Sequence, residues 1–195
     1  MKDLIFLVDF DRTITMNDST DELMNQYNPQ MVEEYQKSFR RGDLRVREYI
    51  KGLLESLKIT KDEYKEAVTK NLIIDPDFKK FIELGYEIRI VSAGTYENIL
   101  PNFEKEGIDI PVEHIYSNKL TFNEDNIEIN FPFDNEDSDE GICKKTILLK
   151  YKNRCKKVYF IGDGYSDIGA ATEADFVFAK KGRYLEKFCK DNSIE

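Results

Sequence analysis

Apolar residues recur along this chain in two rhythms. Leu4-Ile5-Phe6-Leu7-Val8 is a continuous apolar run that stops at Asp9, the pattern of a strand buried on both faces of a parallel sheet. From Asn17 to about Leu84 the step changes. Leu23, Tyr27, Met31, Tyr35 and Phe39, then Leu44, Ile50, Leu53, Leu54 and Leu57, fall at three- and four-residue steps, which predicts helices. Asp18-Ser19-Thr20-Asp21 is rich in capping side chains, Pro29 suits the first turn of a second helix, Gly42 is a break, and Thr60-Lys61-Asp62-Glu63 is a capping box. The expectation is several short helices inserted between two strands.

Past Gly85 the strand rhythm returns. Glu87-Ile88-Arg89-Ile90-Val91-Ser92 predicts a second buried strand, closed by Ala93-Gly94 and followed by a helix near Thr95. Alternation in Leu120-Thr121-Phe122 and Ile127-Glu128-Ile129 predicts an antiparallel hairpin within 114–133, taken as an excursion from the main sheet. After an acidic loop from Asp134 to Glu140 come a helix (142–151), a third core strand (157–161), a helix (167–174), a fourth strand (175–179) and a last helix (184–190). The predicted fold is α/β: a doubly wound, Rossmann-like parallel sheet with a small helical cap inserted after the first strand. The expected division is 1–16 and 85–195 for the core and 17–84 for the cap.

Composition narrows the function classes. The 195 residues carry 29 basic and 38 acidic side chains, a net charge of −9, which repels a polyphosphate backbone and argues against nucleic acid as a partner. No apolar run approaches the ~20 residues a membrane span needs, and the N-terminus lacks a secretory pattern, so a cytoplasmic protein with no membrane partner is expected. Cys143, Cys155 and Cys189 are odd in number and widely spaced, which predicts thiols rather than a disulfide framework or a zinc knuckle. His114, the only histidine, has no partner motif.

Ligands of open α/β sheets bind outside the carboxyl ends of the strands. Three such ends are polar: Asp9-Phe10-Asp11-Arg12-Thr13, Ser92-Ala93-Gly94, and Gly162-Asp163-Gly164-Tyr165-Ser166-Asp167. Four carboxylates meeting at one sheet edge repel one another unless a cation neutralises them, and an all-oxygen cluster without His or Cys selects a hard ion, Mg²⁺ first. Mg²⁺ shared with substrate phosphate points to phosphoryl chemistry, where one Asp can attack phosphorus and another two residues on can serve as acid and base. Ser92 and Lys144 or Lys145 supply the hydroxyl and positive charge that suit phosphate oxygens. Alone, Asp-x-Asp after a strand is ordinary turn and cap chemistry, and Gly-Asp-Gly an ordinary turn.

In this order and spacing, the motifs resemble all four motifs of the haloacid dehalogenase-like superfamily, over residues 6 to about 179. The resemblance implies Asp9 as nucleophile and Asp11 as general acid and base. It implies phosphate binding by Thr13, Ser92, Ala93, Gly94 and Lys144, and a metal site drawn from Asp9, Asp11, Asp163 and Asp167. The Asp two residues after the nucleophile is similar to the phosphatase and phosphomutase branch. The helical insertion is similar to the cap of the phosphoserine phosphatase-like group. Asp-Phe-Asp-x-Thr-Ile-Thr-x-x-Asp, Gly-Ile-Cys-Lys and Ala-Asp-Phe-Val-Phe-Ala-Lys further resemble the 2-hydroxy-3-keto-5-methylthiopentenyl-1-phosphate phosphatases of methionine salvage. Arg12 and Lys145 depart from that group, which usually has Gly at the first position and often Pro or Gly at the second. Substrate contacts are expected from Asp18 and from a cap arginine among Arg40, Arg41, Arg45 and Arg47, with Arg47 preferred.

The expected activity is Mg²⁺-dependent hydrolysis of a small phosphorylated metabolite through an aspartyl-phosphate. A phosphomutase differs only in the phosphoryl acceptor. A receiver-like switch phosphorylated on Asp9 is the non-enzymatic alternative, one with no use for an acid at Asp11 or for a helical cap.

Overall fold

The computed structural model describes residues 2–124, 126–134 and 140–195, so most of the acidic loop expected between Asp134 and Glu140 lies outside the described residues. Leu4 to Val8 fall within β1 (Lys2–Val8), the inner strand of a six-stranded sheet. Successive side chains of a strand point to opposite faces. Ile5 and Leu7 accordingly enter one hydrophobic cluster, and Phe6 and Val8 the other. β1 pairs in parallel with β2 (Glu87–Thr95) on one side and β5 (Cys155–Gly162) on the other, with Phe6 between Ile88 and Tyr159.

The order β4-β3-β2-β1-β5-β6 is completed by β3 (Ile115–Asn123), β4 (Asn126–Asn130) and β6 (Phe176–Ala179), and only β4 runs antiparallel. The chain steps outward from β1 through β2 to β3 and then crosses to β5 and β6. The crevice between the carboxyl ends of β1 and β5 is therefore the switch point where such sheets bind ligands. The hairpin is not an excursion: Ile115 and Tyr116 pair with Ile90 and Val91, which makes β3 a full member of the sheet and β4 its edge. Alternation predicts a half-buried strand pair, and it cannot tell whether that pair joins a neighbouring sheet.

Five helices follow β1: α1 (Ser19–Met24), α2 (Pro29–Arg41), α3 (Val46–Glu55), α4 (Lys61–Lys70) and α5 (Pro76–Glu83). Capping sets their limits. The Asp18 carboxylate accepts from the Thr20 and Asp21 amides, Gly42 ends α2 at φ +80°, and Thr60 and Glu63 cap each other's backbone at α4.

The first four of these helices contribute Leu23, Val32, Leu53, Leu54 and Tyr64 to the cluster that holds Ile5 and Leu7. The fifth packs on the other face, where Phe81 meets Phe6 edge-on at 5.0 Å and Phe78 stacks on Phe103 of α6 (Tyr96–Glu106). By packing, the insertion thus closes at the bridge between Thr15 and Ile74 rather than at 84, and α5 is the crossover helix into β2. Three further helices, α7 (Lys144–Lys152), α8 (Ile168–Ala171) and α9 (Tyr184–Asp191), join the first cluster through Ile147, Leu148, Ala170 and Leu185. Cys155 and Cys189 are buried and Cys143 half-buried, with no disulfide. Among the described residues no helix is long and apolar enough to cross a membrane.

Candidate active site

The first polar strand end begins where the Asp9 amide donates to the Ile161 carbonyl, which fastens β1 beside β5. The backbone then closes a tight loop: the Thr15 amide donates to Phe10 O, the Arg12 amide donates to Thr15 Oγ1, and Arg12 sits at φ +59°. This loop holds Asp9 and Asp11 at one cavity while Thr13 Oγ1 donates to Asp9 Oδ2 at 3.2 Å. Lys144, first residue of α7, donates from Nζ to Asp9 Oδ1 and Asp167 Oδ1, both at 2.6 Å. The second oxygen of Asp167 accepts the amides of Asp163 and Gly164 at 2.9 Å. That arrangement requires a glycine at 162, because a Cβ there would stand 2.5 Å from Asp167 Oδ2. The exposed neighbour Lys145 turns away to Glu173.

Burial and repulsion govern the charges. Lys144 is 1% exposed, yet the two carboxylates hold its ammonium well above the ordinary range against that burial. Burial pushes Asp9 well up, offset in part by Lys144 and reinforced by the charges of Asp167 and Asp163. Burial and then the neighbouring Asp18 push Asp11 up to about 7, and burial and then Asp167 push Asp163 up to about 6. Buried carboxylates crowded in this way are costly to ionise together, a cost that a bound cation would relieve. Oxygens of Asp9, Asp163 and Asp167 lie within 4.8 Å of one another, an all-oxygen set that suits a hard divalent cation. Both Asp167 oxygens are already engaged, by Lys144 and the two amides. Both Asp9 oxygens also accept hydrogen bonds, from Lys144 and Thr13, so Asp163 is the carboxylate of the three that makes the fewest such bonds, and all three stand close enough to share one ion. The Asp11 carboxylate instead accepts the Ser19 amide at 2.7 Å, at the start of α1.

Ser92, Ala93 and Gly94 end β2 against the same cavity. The β2–β3 register shifts between Val91 and Thr95, and side chains of β3 take over the freed carbonyls: Ser117 Oγ donates to Gly94 O at 2.9 Å and Asn118 Nδ2 to Ala93 O at 2.7 Å. The Gly94 amide meets Ser92 Oγ at 3.0 Å. Sequence patterning missed Ser117 and Asn118, because two small polar residues inside an alternating strand carry no motif.

A cavity of about 500 Å³ opens from this cluster toward the inserted helices, lined there by Asp18, Asp21, Gln36, Phe39, Arg40 and Tyr49. Asp18 both caps α1 and faces the cavity. Arg47 is not brought there: its guanidinium pairs with Asp134 and lies over the Phe131 ring, 4.6 Å from the centroid. Helical periodicity places several arginines in one segment without telling which of them faces the site, and by geometry that one is Arg40. Arg12, Asp21 and Tyr49 were also missed; the signal available for Asp21 was absorbed by its reading as cap chemistry.

A family model described as "Putative Phosphatase" matches residues 4–195. Pdp3-interacting factor 1 of Schizosaccharomyces pombe is 31% identical over 99% of this chain and 89% of its own. A 2-hydroxy-3-keto-5-methylthiopentenyl-1-phosphate phosphatase of Bacillus cereus is 28% identical over 95% of this chain and 86% of its own. Among solved structures, a phosphoserine phosphatase in the form of a phospho-aspartyl intermediate analogue matches with a TM-score of 0.70 at 20% identity, covering 100% of both chains. That last likeness is one of fold.

Proposed function

The chain belongs to the haloacid dehalogenase-like phosphatases, in their phosphoserine phosphatase-like group, and on that premise we propose that it hydrolyses a small phosphomonoester by way of a phosphoryl group carried on Asp9. The observation that carries this reading is the pairing of Asp9 and Asp11 at one cavity. Asp9 is held at one oxygen by a buried lysine, and Asp11 keeps its proton up to about 7. The first is oriented as a nucleophile, and the second is an acid matched to neutral pH.

Asp9 and Asp163 would hold Mg²⁺, with the Asp11 carbonyl as the further ligand that the resemblance implies; when bound, the ion supplies positive charge against the phosphate oxygens and the crowded carboxylates. The chain's own groups do the rest. A carboxylate oxygen of Asp9 forms a bond to phosphorus as the bond from phosphorus to the ester oxygen breaks, and Asp11 gives its proton to the departing alcohol. Water then attacks the same phosphorus, its proton passes to the Asp11 carboxylate, and the bond from Asp9 to phosphorus breaks to release inorganic phosphate. Lys144, Ser92 and the amides after it bind the phosphate oxygens. A phosphate ester of a small cytoplasmic metabolite, rather than a nucleic acid or a membrane component, suits a cavity of about 500 Å³ and the charge of −9. The methylthiopentenyl phosphate of the Bacillus cereus relative and phosphoserine are the first two esters to test.

The test is phosphate release from a panel of phosphomonoesters. Release that depends on Mg²⁺ and stops with EDTA is expected. Release undiminished by EDTA rejects the metal assignment, and transfer to a second hydroxyl without release indicates a mutase.

Two substitutions separate the residues named above. Arg40→Ala is expected to raise KM about tenfold for a good substrate, whereas Arg47→Ala changes it less than about twofold. The reverse order would return Arg47 to the site. Asn118→Ala is expected to lower kcat/KM about tenfold, because the Ala93 carbonyl loses the donor that orients the amides after Ser92. Steady-state kinetics at wild-type values would show that backbone pairing alone suffices.

A further inference from the structure

We propose that Arg12 is a positioning residue that clasps the helical insertion onto the catalytic loop. Its backbone lies at φ +59°, ψ +4°, in the left-handed region that favours glycine and strains any other residue. The side chain offers a return for that strain. Arg12 Nη2 lies 2.8 Å from Asp21 Oδ2 and 3.7 Å from Asp18 Oδ2. Asp21 is buried and joins more than one element: Gln36 of α2 donates to Oδ2 at 2.9 Å, and the Tyr49 hydroxyl of α3 donates to Oδ1 at 2.5 Å. One carboxylate thus ties the loop that carries Asp9 and Asp11 to α1, α2 and α3 together.

Arg12 acts through these partners. The Asp11 carboxylate takes the amide of Ser19, the first residue of α1, so a shift of α1 moves the acid. Arg12 also lines the main cavity together with Asp18, Asp21, Gln36 and Tyr49, so the clasp stands in the wall of the candidate site. The inference deepens the phosphatase reading and rests on it only for its kinetic consequence.

Hydrogen exchange of the protein without substrate, followed by mass spectrometry, tests the clasp directly. In Arg12→Gly, amides of α1 to α3 are expected to exchange at least about tenfold faster, with β1 and β5 unchanged. Arg12→Lys is expected to recover part of that protection, and Asp21→Asn to loosen the same helices, with the double variant Arg12→Gly/Asp21→Asn little worse than either single one. On a good ester, Arg12→Gly is expected to lower kcat about tenfold with KM moved less than about threefold, the signature of a displaced acid rather than lost binding. Exchange in α1 to α3 that stays at the wild-type rate, or that rises equally in β1 and β5, overturns the clasp. Because exchange is read with no ester present, failure of the wild type to release phosphate would overturn the phosphatase reading alone.

Discussion

Replacing Asp9 by Asn is expected to abolish phosphate release, by at least about 10⁴-fold, while the protein stays folded. Asn keeps the shape and can still meet Lys144 and Thr13, but its amide cannot form a stable bond to phosphorus and leave again. Lys144 retains Asp167 at 2.6 Å, so no buried cation is stranded by the change. The same variant has a second expected signature. Burial and the nearby Asp163 and Asp167 charges make ionised Asp9 costly, so a neutral side chain at this position should leave the metal-free fold as heat-resistant as wild type or more so. A folded Asp9→Asn protein with substantial turnover would remove the nucleophile from the mechanism. A variant that loses turnover only because it unfolds would show the opposite thermal shift.

The second large effect is thermal, and it couples pH to the metal. Asp9, Asp11 and Asp163 hold their protons to higher pH in the folded chain than in the unfolded one, Asp11 to about 7 and Asp163 to about 6. Between pH 4 and 7 the folded state therefore binds more protons. The stability these groups contribute is complete below the ordinary carboxylate range and is lost as pH rises through the folded values. Each pH unit over which one such carboxyl is protonated only when folded amounts to about 1.4 kcal/mol, so Tm of the metal-free protein should fall by about 10 °C from pH 5 to pH 8. Mg²⁺ binds the ionised carboxylates, and saturating Mg²⁺ should restore most of that loss at pH 8 while shifting Tm little at pH 5. Thermal melts at both pH values, with EDTA and with Mg²⁺, read the whole pattern. A Tm at pH 8 that does not respond to Mg²⁺ would dissociate the acidic cluster from metal binding.

The gathering of the acidic residues at one end of the candidate site was readable in the sequence because it is local. Asp9 and Ser92 follow directly on apolar runs of clear strand character, Asp163 one residue and Asp11 two residues further on, and Asp167 closes the short loop after the third run, while a parallel sheet brings these strand ends to one edge. Lys144 needed the resemblance, since Lys144 and Lys145 are adjacent and periodicity does not say which is buried; only Lys144 reaches Asp9.

What escaped depends on contacts between distant segments. α5 reads like the helices before it, and only the stacking of Phe78 and Phe81 on residues of the opposite face separates it from them. Ser117 and Asn118 matter because of a register shift in a neighbouring strand, which no periodicity records. Arg47 and Arg40 lie one helix apart on equally basic segments, and Asp134, far along the chain, captures Arg47.

The place of β1 in the sheet bears on how the protein comes to be made. Its residues precede both of its partner strands along the chain, so Ile5 awaits Glu87 and Lys2 awaits Cys155. Long-range pairings of this kind close slowly, because the intervening chain must give up its freedom before the contacts form. Until Cys155 to Ile161 arrive, one edge of an apolar strand stands open to any other strand nearby. Nascent or truncated chains should accordingly aggregate and bind chaperones, and refolding yield should fall as protein concentration rises. Asp9, at the end of that strand, gains Lys144 and its neighbouring strand only in the last steps of folding, so no early fragment carries the assembled acidic cluster.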